Sequence, residues 1–507
     1  MSYRIVGPQS ATSTSAIDYR MILGVLGSFI FFLGFALLLP MFIDLVYNEH
    51  TWQAFLVSAG ISFILGGSLY WFFKPDREVR IREAMLIVAG TWLALSFVGA
   101  LPFMLTGVLS NYTDAFFETM SGLTTTGATI FGGTTHTGQT NPAVENLPNS
   151  LLFWRSLSHW LGGMGIIVLS IAILPLLGIG GMQLFQAESP GPKSDKLTPR
   201  VQQTAKLLWA VYFALTFIEF LLLWVHPSMD WFEAINHAFA TMATGGFSTK
   251  NASIAGFNSA YVDAIITVFM FLAGVNFALH FKLMTGKGRG IFDNRELRFY
   301  ALVTLIAIGA ITASLIFQQG MQAADALRYG SFQAVSIITT TGFGTYDYEL
   351  WPSLAMFILF MAFFTGGSAG STAGGPKMIR WLILFRNSFR EIKQIVHPKA
   401  ILPVRIGDYV VDPGVMRAVL SFSVLYMCLF GFIALIMSAF GLDLMTSLGA
   451  SIATLGNIGP GWGDVGPSEN FAFIPGPAKW ILSFAMMIGR LELFTVLVIF
   501  SYAFWRE

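Results

Sequence analysis

The chain has 507 residues, of which 55% are hydrophobic and only 11% charged. An ordinary soluble domain carries about 25% charged residues, so most of this chain belongs in a bilayer. The formal net charge of +1 points to no nucleic-acid or acidic partner, and the single cysteine, Cys428, excludes an intrachain disulfide and a cysteine metal site.

Residues 1–20 are polar and rich in Ser and Thr and read as an N-terminal tail. A membrane helix needs about 20 apolar residues. Ten runs qualify: 21–46, 52–73, 82–107, 150–177, 206–226, 260–284, 299–318, 352–384, 415–440 and 478–503. The first is too long for a signal-peptide core and lacks a small-residue cleavage site, so it reads as a retained helix. Lys and Arg gather in alternate loops: Arg4 and Arg20; Lys74, Arg77, Arg80 and Arg82; Lys193, Lys196, Arg200 and Lys206; Lys282, Lys287, Arg289, Arg295 and Arg298; the stretch 377–405; and Arg506. The opposite loops hold only Lys250, Arg328 and Lys479. Positive residues mark the cytoplasmic side, so both termini are expected there. The stretch 377–405 is either a binding surface for anionic lipid or a cytoplasmic subunit, or a plain topology signal.

Four Asp-led stretches fall after spans 3, 5, 7 and 9: Asp114 to Ala128, Asp230 to Phe247, Asp325 to Phe343 and Asp443 to Pro460. Each joins about three turns of helix-compatible sequence to a Gly- or Thr-rich end. None is long enough to cross, so each is expected to enter and return on the outer side. Gly-rich backbone at membrane depth is tolerated only inside protein or along a watery path. The glycines Gly127, Gly246, Gly342 and Gly459 recur at intervals suiting a diverged repeat of roughly 100 residues. The expected architecture is all-α and polytopic, with four tandem helix–pore helix–filter–helix repeats around one pore. The divisions are a tail at 1–20, an N-terminal hairpin at 21–80, and repeats at 81–190, 191–290, 291–405 (with an intramembrane loop and a basic segment) and 406–507.

The leading Asp of each stretch can cap its helix. The helix C-terminus then carries about half a negative charge toward the membrane centre. The strand that follows can offer carbonyl oxygens in place of a cation's water shell. The expected ion ligands are Thr125, Thr126, Gly127, Thr244, Gly245, Gly246, Thr340, Thr341, Gly342, Asn457, Ile458 and Gly459. Rings of uncharged oxygens suit potassium, whereas calcium and magnesium call for carboxylates, which these strands lack beside their glycines. For one strand alone, close packing by small residues explains the pattern as well.

Span 8 is interrupted by Thr365 to Lys377, which includes Gly366, Gly367, Gly370, Gly374, Gly375 and Pro376. A helix cannot run through it. The loop reads as a plug beneath the filter, the alternative being a static kink. Arg490 lies in the last span, where an arginine is costly and faces a cavity or partner. It is expected either to project into the pathway as part of the gate or to pair with Glu219 or Glu118. Glu118, Glu233, His237 and Gln333 are expected to buttress the strands. His159 and His280 are expected to be satisfied core histidines.

These residues resemble a family. TTTGAT (124–129), ATGGFST (243–249), TTTGFGT (339–345), TLGNIGPGWG (454–463), AGVNFALHF (273–281), FTGGSAGSTAGGPK (364–377) and GRLE (489–492) are similar to the TrkH/KtrB/HKT superfamily of cation transporters, most closely its TrkH type, over nearly the whole chain. The N-terminal hairpin separates TrkH-like from KtrB-like chains. The resemblance implies potassium uptake across a bacterial inner membrane, a homodimer with one pore per protomer, and gating by a cytoplasmic ring of TrkA-like nucleotide-binding (RCK) subunits. The fourth strand departs from the others with Asn457-Ile458, which leaves room for rubidium or some sodium passage. A potassium symporter coupled to protons or sodium is the competing reading, because broken helices also mark carriers. No nucleophile–base set or phosphate-binding loop points to an enzyme. No organic cofactor is expected; potassium is substrate.

Overall fold

The computed structural model describes residues 17–75, 79–172, 198–286, 290–407 and 409–506. Arg4, Arg77, Lys193, Lys196, Lys287, Arg289 and the end of the fourth expected span lie outside them. Helices dominate the described residues, and their one sheet is the hairpin pairing Arg405–Ile406 with Tyr409–Val410.

Helices Tyr19–Tyr47 and Trp52–Phe72 form the N-terminal hairpin. They pack closely because glycines meet: a Cβ on Gly27 would lie 2.8 Å from the Gly66 carbonyl oxygen. Glu49 accepts the backbone and side-chain N–H of Asn149, each at 2.8 Å, and so ties the hairpin to the first repeat.

Four units follow, each with a long helix that approaches the re-entrant element (termed inward, toward that element), a short re-entrant helix, a strand and a helix that departs from it (termed outward, away from that element). The inward helices are Ile81–Gly99, Thr198–Trp224, Arg295–Gln319 and Pro413–Ala439. The re-entrant helices are Tyr112–Leu123, Trp231–Met242, Ala323–Ile338 and Leu444–Leu455. The longest has 16 residues. At 1.5 Å per residue that is about 24 Å, short of a hydrocarbon core of about 30 Å. The protein is a polytopic all-α membrane protein. Among the described residues six helices are long and apolar enough to cross, or eight if each bent pair counts as one span.

The outward helices bring two corrections. Only the first, Asn149–Ala172, has no break along its described length. The interruption expected in span 8 is present, between Ser353–Ala362 and Met378–Val396. Spans 6 and 10, expected to be continuous, are also broken. Ala260–Ala273 bends by 102° into Phe277–Met284, and Gly476–Arg490 by 115° into Phe494–Phe500. The first break is stabilised by Asn276, whose side chain accepts the N–H of Ala278 at 2.8 Å and starts a new helix. At the second, Glu492 and Leu493 hold φ of 58° and 52°, which no α-helix contains.

The Asp caps need a correction too. Asp230 and Asp443 do cap their helices, accepting N–H groups of Glu233 and of Met445 and Thr446. The first helix is capped by Asn111, and the third begins after Gln322, which makes no side-chain cap bond. Asp114 and Asp325 instead sit inside the first turn. Those two helices begin further from the Asp because Asn111 and Gln322 lie upstream in extended backbone. An acid in the first turn still complements the helix dipole.

Candidate functional site

The four re-entrant helices end the same way. In each, the residue before the strand glycine donates its N–H to a carbonyl five residues back: Thr126 to Ser121 (2.9 Å), Gly245 to Ala240 (2.8 Å), Thr341 to Ser336 (2.8 Å) and Ile458 to Ala453 (2.9 Å). The residue two before the glycine is left-handed, with φ of 51° at Thr125, 54° at Thr244, 58° at Thr340 and 54° at Asn457. This is the Schellman ending of a helix, which usually places glycine in the left-handed slot. Here three slots hold threonine, whose β-branch is crowded there. The strand glycines follow with φ of 83°, 81°, 81° and 100°.

The strands close into one ring. A Cβ on Gly127 would overlap the carbonyl oxygen of Gly245, one on Gly246 that of Thr341, and one on Gly342 that of Ile458. A Cβ on Gly459 would lie 2.7 Å from the carbonyl oxygen of Thr126, returning to the first strand. Each glycine is thus needed because the next strand's backbone fills the space of its side chain. The four glycines line one vestibule, together with Thr129, Arg155, Phe247, Ser248, Lys250 and Pro460. Thr125, Thr126, Thr244, Gly245, Thr340, Thr341, Asn457 and Ile458 lie deeper and are buried.

The strands are not equal. In units one and three a hydroxyl pair braces the turn, Thr124 with Thr126 and Thr339 with Thr341, each at 2.8 Å. In unit four the Asn457 amide reaches sideways, donating to the Thr126 hydroxyl at 3.0 Å and to the Met486 carbonyl at 2.8 Å.

On the side away from the vestibule the ring meets the 365–377 loop. Gly374 donates its N–H to the Thr340 hydroxyl at 2.6 Å. Thr372 donates its hydroxyl to the Met242 carbonyl, at the end of the second re-entrant helix, at 3.0 Å. A Cβ on Gly374 would lie 2.9 Å from that of Asn457. Within the loop, Gly366 packs against Gly374, Gly367 against Gly274, and Gly370 and Gly375 hold φ of 75° and 62°. The Lys377 ammonium donates to the Ala373 carbonyl. Arg490 donates to the carbonyls of Thr372 (2.7 Å) and Gly162 (3.4 Å). It pairs with neither of the acids weighed from the sequence; Glu118 is held by Arg155. Arg490 therefore joins unit four to the loop of unit three and to the outward helix of unit one.

Sequence reasoning missed two ion pairs. Arg155 binds Glu118 behind the first strand, and Arg380 binds Glu492 at the break of the last span. Lys250, Arg328 and Lys479 are also paired, with Glu233, Asp263 and Asp114 respectively. His280 is satisfied, its Nε2 lying 2.9 Å from the Leu272 carbonyl across the first break. His159, expected to be satisfied, is not: it stacks on Phe247 with centroids 4.1 Å apart, and neither ring nitrogen makes a hydrogen bond of ordinary geometry among the described residues.

Residues 51–506 match the TrkH family model, described as a cation transport protein. This chain belongs to the TrkH family. It is 41% identical over 500 residues to the Trk system potassium uptake protein TrkH of Halomonas elongata, covering 97% of this chain and 100% of that one. It is 40% identical over 496 residues to the protein of that name in Escherichia coli K12, with the same coverage. The crystal structure of the potassium transporter TrkH from Vibrio parahaemolyticus superposes with a TM-score of 0.88 at 35% identity, covering 97% of this chain and 100% of that chain. The TrkH fold thus accounts for both the repeated units and the N-terminal hairpin.

Proposed function

We propose that this protein takes up potassium through a gated, channel-like pore whose selectivity filter is the ring of glycine strands. The observation that carries this reading is the closure of the ring, in which each strand glycine lies against the next strand's carbonyl. Four helix C-termini converge on it, and their dipoles favour a cation without a fixed negative charge that would hold it. The names of the relatives in Halomonas elongata and Escherichia coli support potassium as the cargo. An inside-negative voltage supplies about 2.3 kcal/mol per charge per 100 mV, enough to drive uptake without another energy source.

The 365–377 loop is the gate of this reading, with Gly366, Gly367, Gly370, Gly374 and Gly375 giving it freedom and Arg490 pinning it to the ring's inner side. Deleting several loop residues is expected to raise basal flux; unchanged flux rejects the gating role. The distribution of Lys and Arg supports cytoplasmic termini, and the family resemblance supports placement in a bacterial inner membrane. The resemblance supports a homodimer regulated by TrkA-like nucleotide-binding subunits.

The test is flux in proteoliposomes. Potassium and rubidium are expected to compete strongly and sodium weakly, with a reversal potential indifferent to a pH gradient. A reversal potential that follows the pH gradient favours the symporter, a reading the three broken outward helices keep open. No potassium flux at all contradicts both.

A further inference from the structure

Counting back from the strand glycines brings one position of each re-entrant helix into register. Glu118, His237, Gln333 and Ala450 each stand nine residues before Gly127, Gly246, Gly342 and Gly459. All four are buried. The first three turn a polar group onto the chain just beyond their own glycine, each with different chemistry.

Glu118 accepts the N–H of Ile130 at 3.0 Å and the Thr129 hydroxyl at 3.0 Å. His237 has Nδ1 2.7 Å from the Glu233 carbonyl, so that nitrogen carries the proton and Nε2 accepts the Ser248 hydroxyl at 2.9 Å. Gln333 donates its amide to the Tyr346 carbonyl at 2.8 Å. Ala450 has no polar group; instead its neighbour Gly449 lets the helix backbone pack directly on Trp462. The series runs from a charge through an imidazole and an amide to bare backbone.

Only the first member has a counter-ion. Arg155 gives its Nε to Glu118 at 2.8 Å, one Nη to the Ser248 carbonyl at 3.1 Å and the other to the Thr129 hydroxyl at 3.3 Å. Its guanidinium also lies 4.1 Å from the centroid of Phe247, the residue after Gly246. One planar fork therefore grips the exits of two adjacent strands. Ser248 is held twice, through its carbonyl by Arg155 and through its hydroxyl by His237. The pairs Asp114–Lys479 and Arg380–Glu492, also largely buried, touch neither exit.

Resting on the pore reading above, we propose that Glu118 and Arg155 form a positioning pair that fixes the outer rim of the ring and thereby its discrimination between potassium and sodium. Neither residue touches the ion. The pair acts by keeping strands one and two from closing around a smaller cation, so sodium stays under-coordinated while potassium is matched.

The experiment measures the sodium-to-potassium permeability ratio from bi-ionic reversal potentials of the full-length protein in lipid bilayers. Glu118→Gln keeps the shape and removes the charge. Thr129→Val removes the hydroxyl shared by Glu118 and Arg155 without altering any charge. The double variant Asp263→Asn with Arg328→Gln breaks an outer ion pair away from the strand exits and serves as the control. Glu118→Gln is expected to raise the ratio roughly tenfold and Thr129→Val about threefold, as loss of charge-assisted and neutral hydrogen bonds would give. The control should leave the ratio unchanged. If Glu118→Gln does not fold, Thr129→Val decides alone. An unchanged ratio in the folded variants overturns the proposal, as does an equal rise in the control. Absence of potassium current in the unaltered protein is a different failure, seen before any variant is made, and removes the pore reading itself.

Discussion

The two faces of the ring are built on opposite plans. On the vestibule face, buried side chains hold the strand exits: the Glu118–Arg155 pair, whose Arg155 also lines the vestibule, His237 and Gln333. On the inner face, isolated hydrogen bonds each join one side chain to one backbone group, with no ion pair among them. The 365–377 loop touches the ring through the Thr340 hydroxyl and the Met242 carbonyl, and Arg490 binds only carbonyls. Side-chain networks in a low-dielectric interior resist deformation. A glycine loop held by a few isolated hydrogen bonds can exchange them for others at small cost. On the proposed pore reading, the contrast assigns ion discrimination to the stiff face and switching of passage to the loose one.

The largest test of the stiff side is Gly342→Ala. Its Cβ would overlap the Ile458 carbonyl at a φ of 81°. Left-handed crowding and overpacking together cost about 2–5 kcal/mol, all of it on the strand. Potassium flux is expected to vanish in protein that still reaches the membrane; flux near the unaltered level contradicts ring closure.

Comparable in energy but read in stability rather than flux, Lys479→Ala leaves Asp114 buried without its partner. Breaking a buried pair costs about 3–5 kcal/mol, to be read as a lower thermal midpoint in detergent. The sodium-to-potassium ratio should not move, because this pair joins helices rather than strand exits.

Arg490→Gln probes the loose side. Basal flux is expected to rise roughly tenfold, a 1.4 kcal/mol change, again without change in selectivity. A shift in selectivity with no rise in flux would reverse the assignment of the two faces.

The smallest effect belongs to Thr125→Gly. It relieves left-handed crowding of about 1–2 kcal/mol but adds about 1 kcal/mol of chain entropy to be lost on folding. The thermal midpoint should stay close to that of the unaltered protein. A large drop would mean the threonine side chain, rather than its backbone angle, is what the position requires.

Much of this was legible in the sequence because glycine and charge leave strong marks. The four glycines and the alternation of Lys and Arg gave the repeats and the spans, and the run 365–377 announced its own break. The breaks at 274–276 and 491–493 were hidden because a single polar residue, Asn276 or Glu492, barely lowers the hydropathy of the apolar run around it. Asn276 capping a new helix and two left-handed residues at Glu492 and Leu493 are backbone events that hydropathy does not register. The Asp caps were half right, because Asn111 lies upstream of Asp114 and was not weighed. Glu118, His237 and Gln333 were read as buttresses, yet their common register appears only when the units are aligned on glycine. Arg155 was passed over as an arginine in a span, since its partner lies 37 residues away in the chain.

The most direct measurement is anomalous diffraction from crystals soaked in thallium, which substitutes for potassium. The account predicts a column of sites on the ring axis, each approached by oxygens from all four strands at Gly127, Gly246, Gly342 and Gly459. Thallium bound by one or two strands only, or lodged elsewhere in the membrane region, would contradict it.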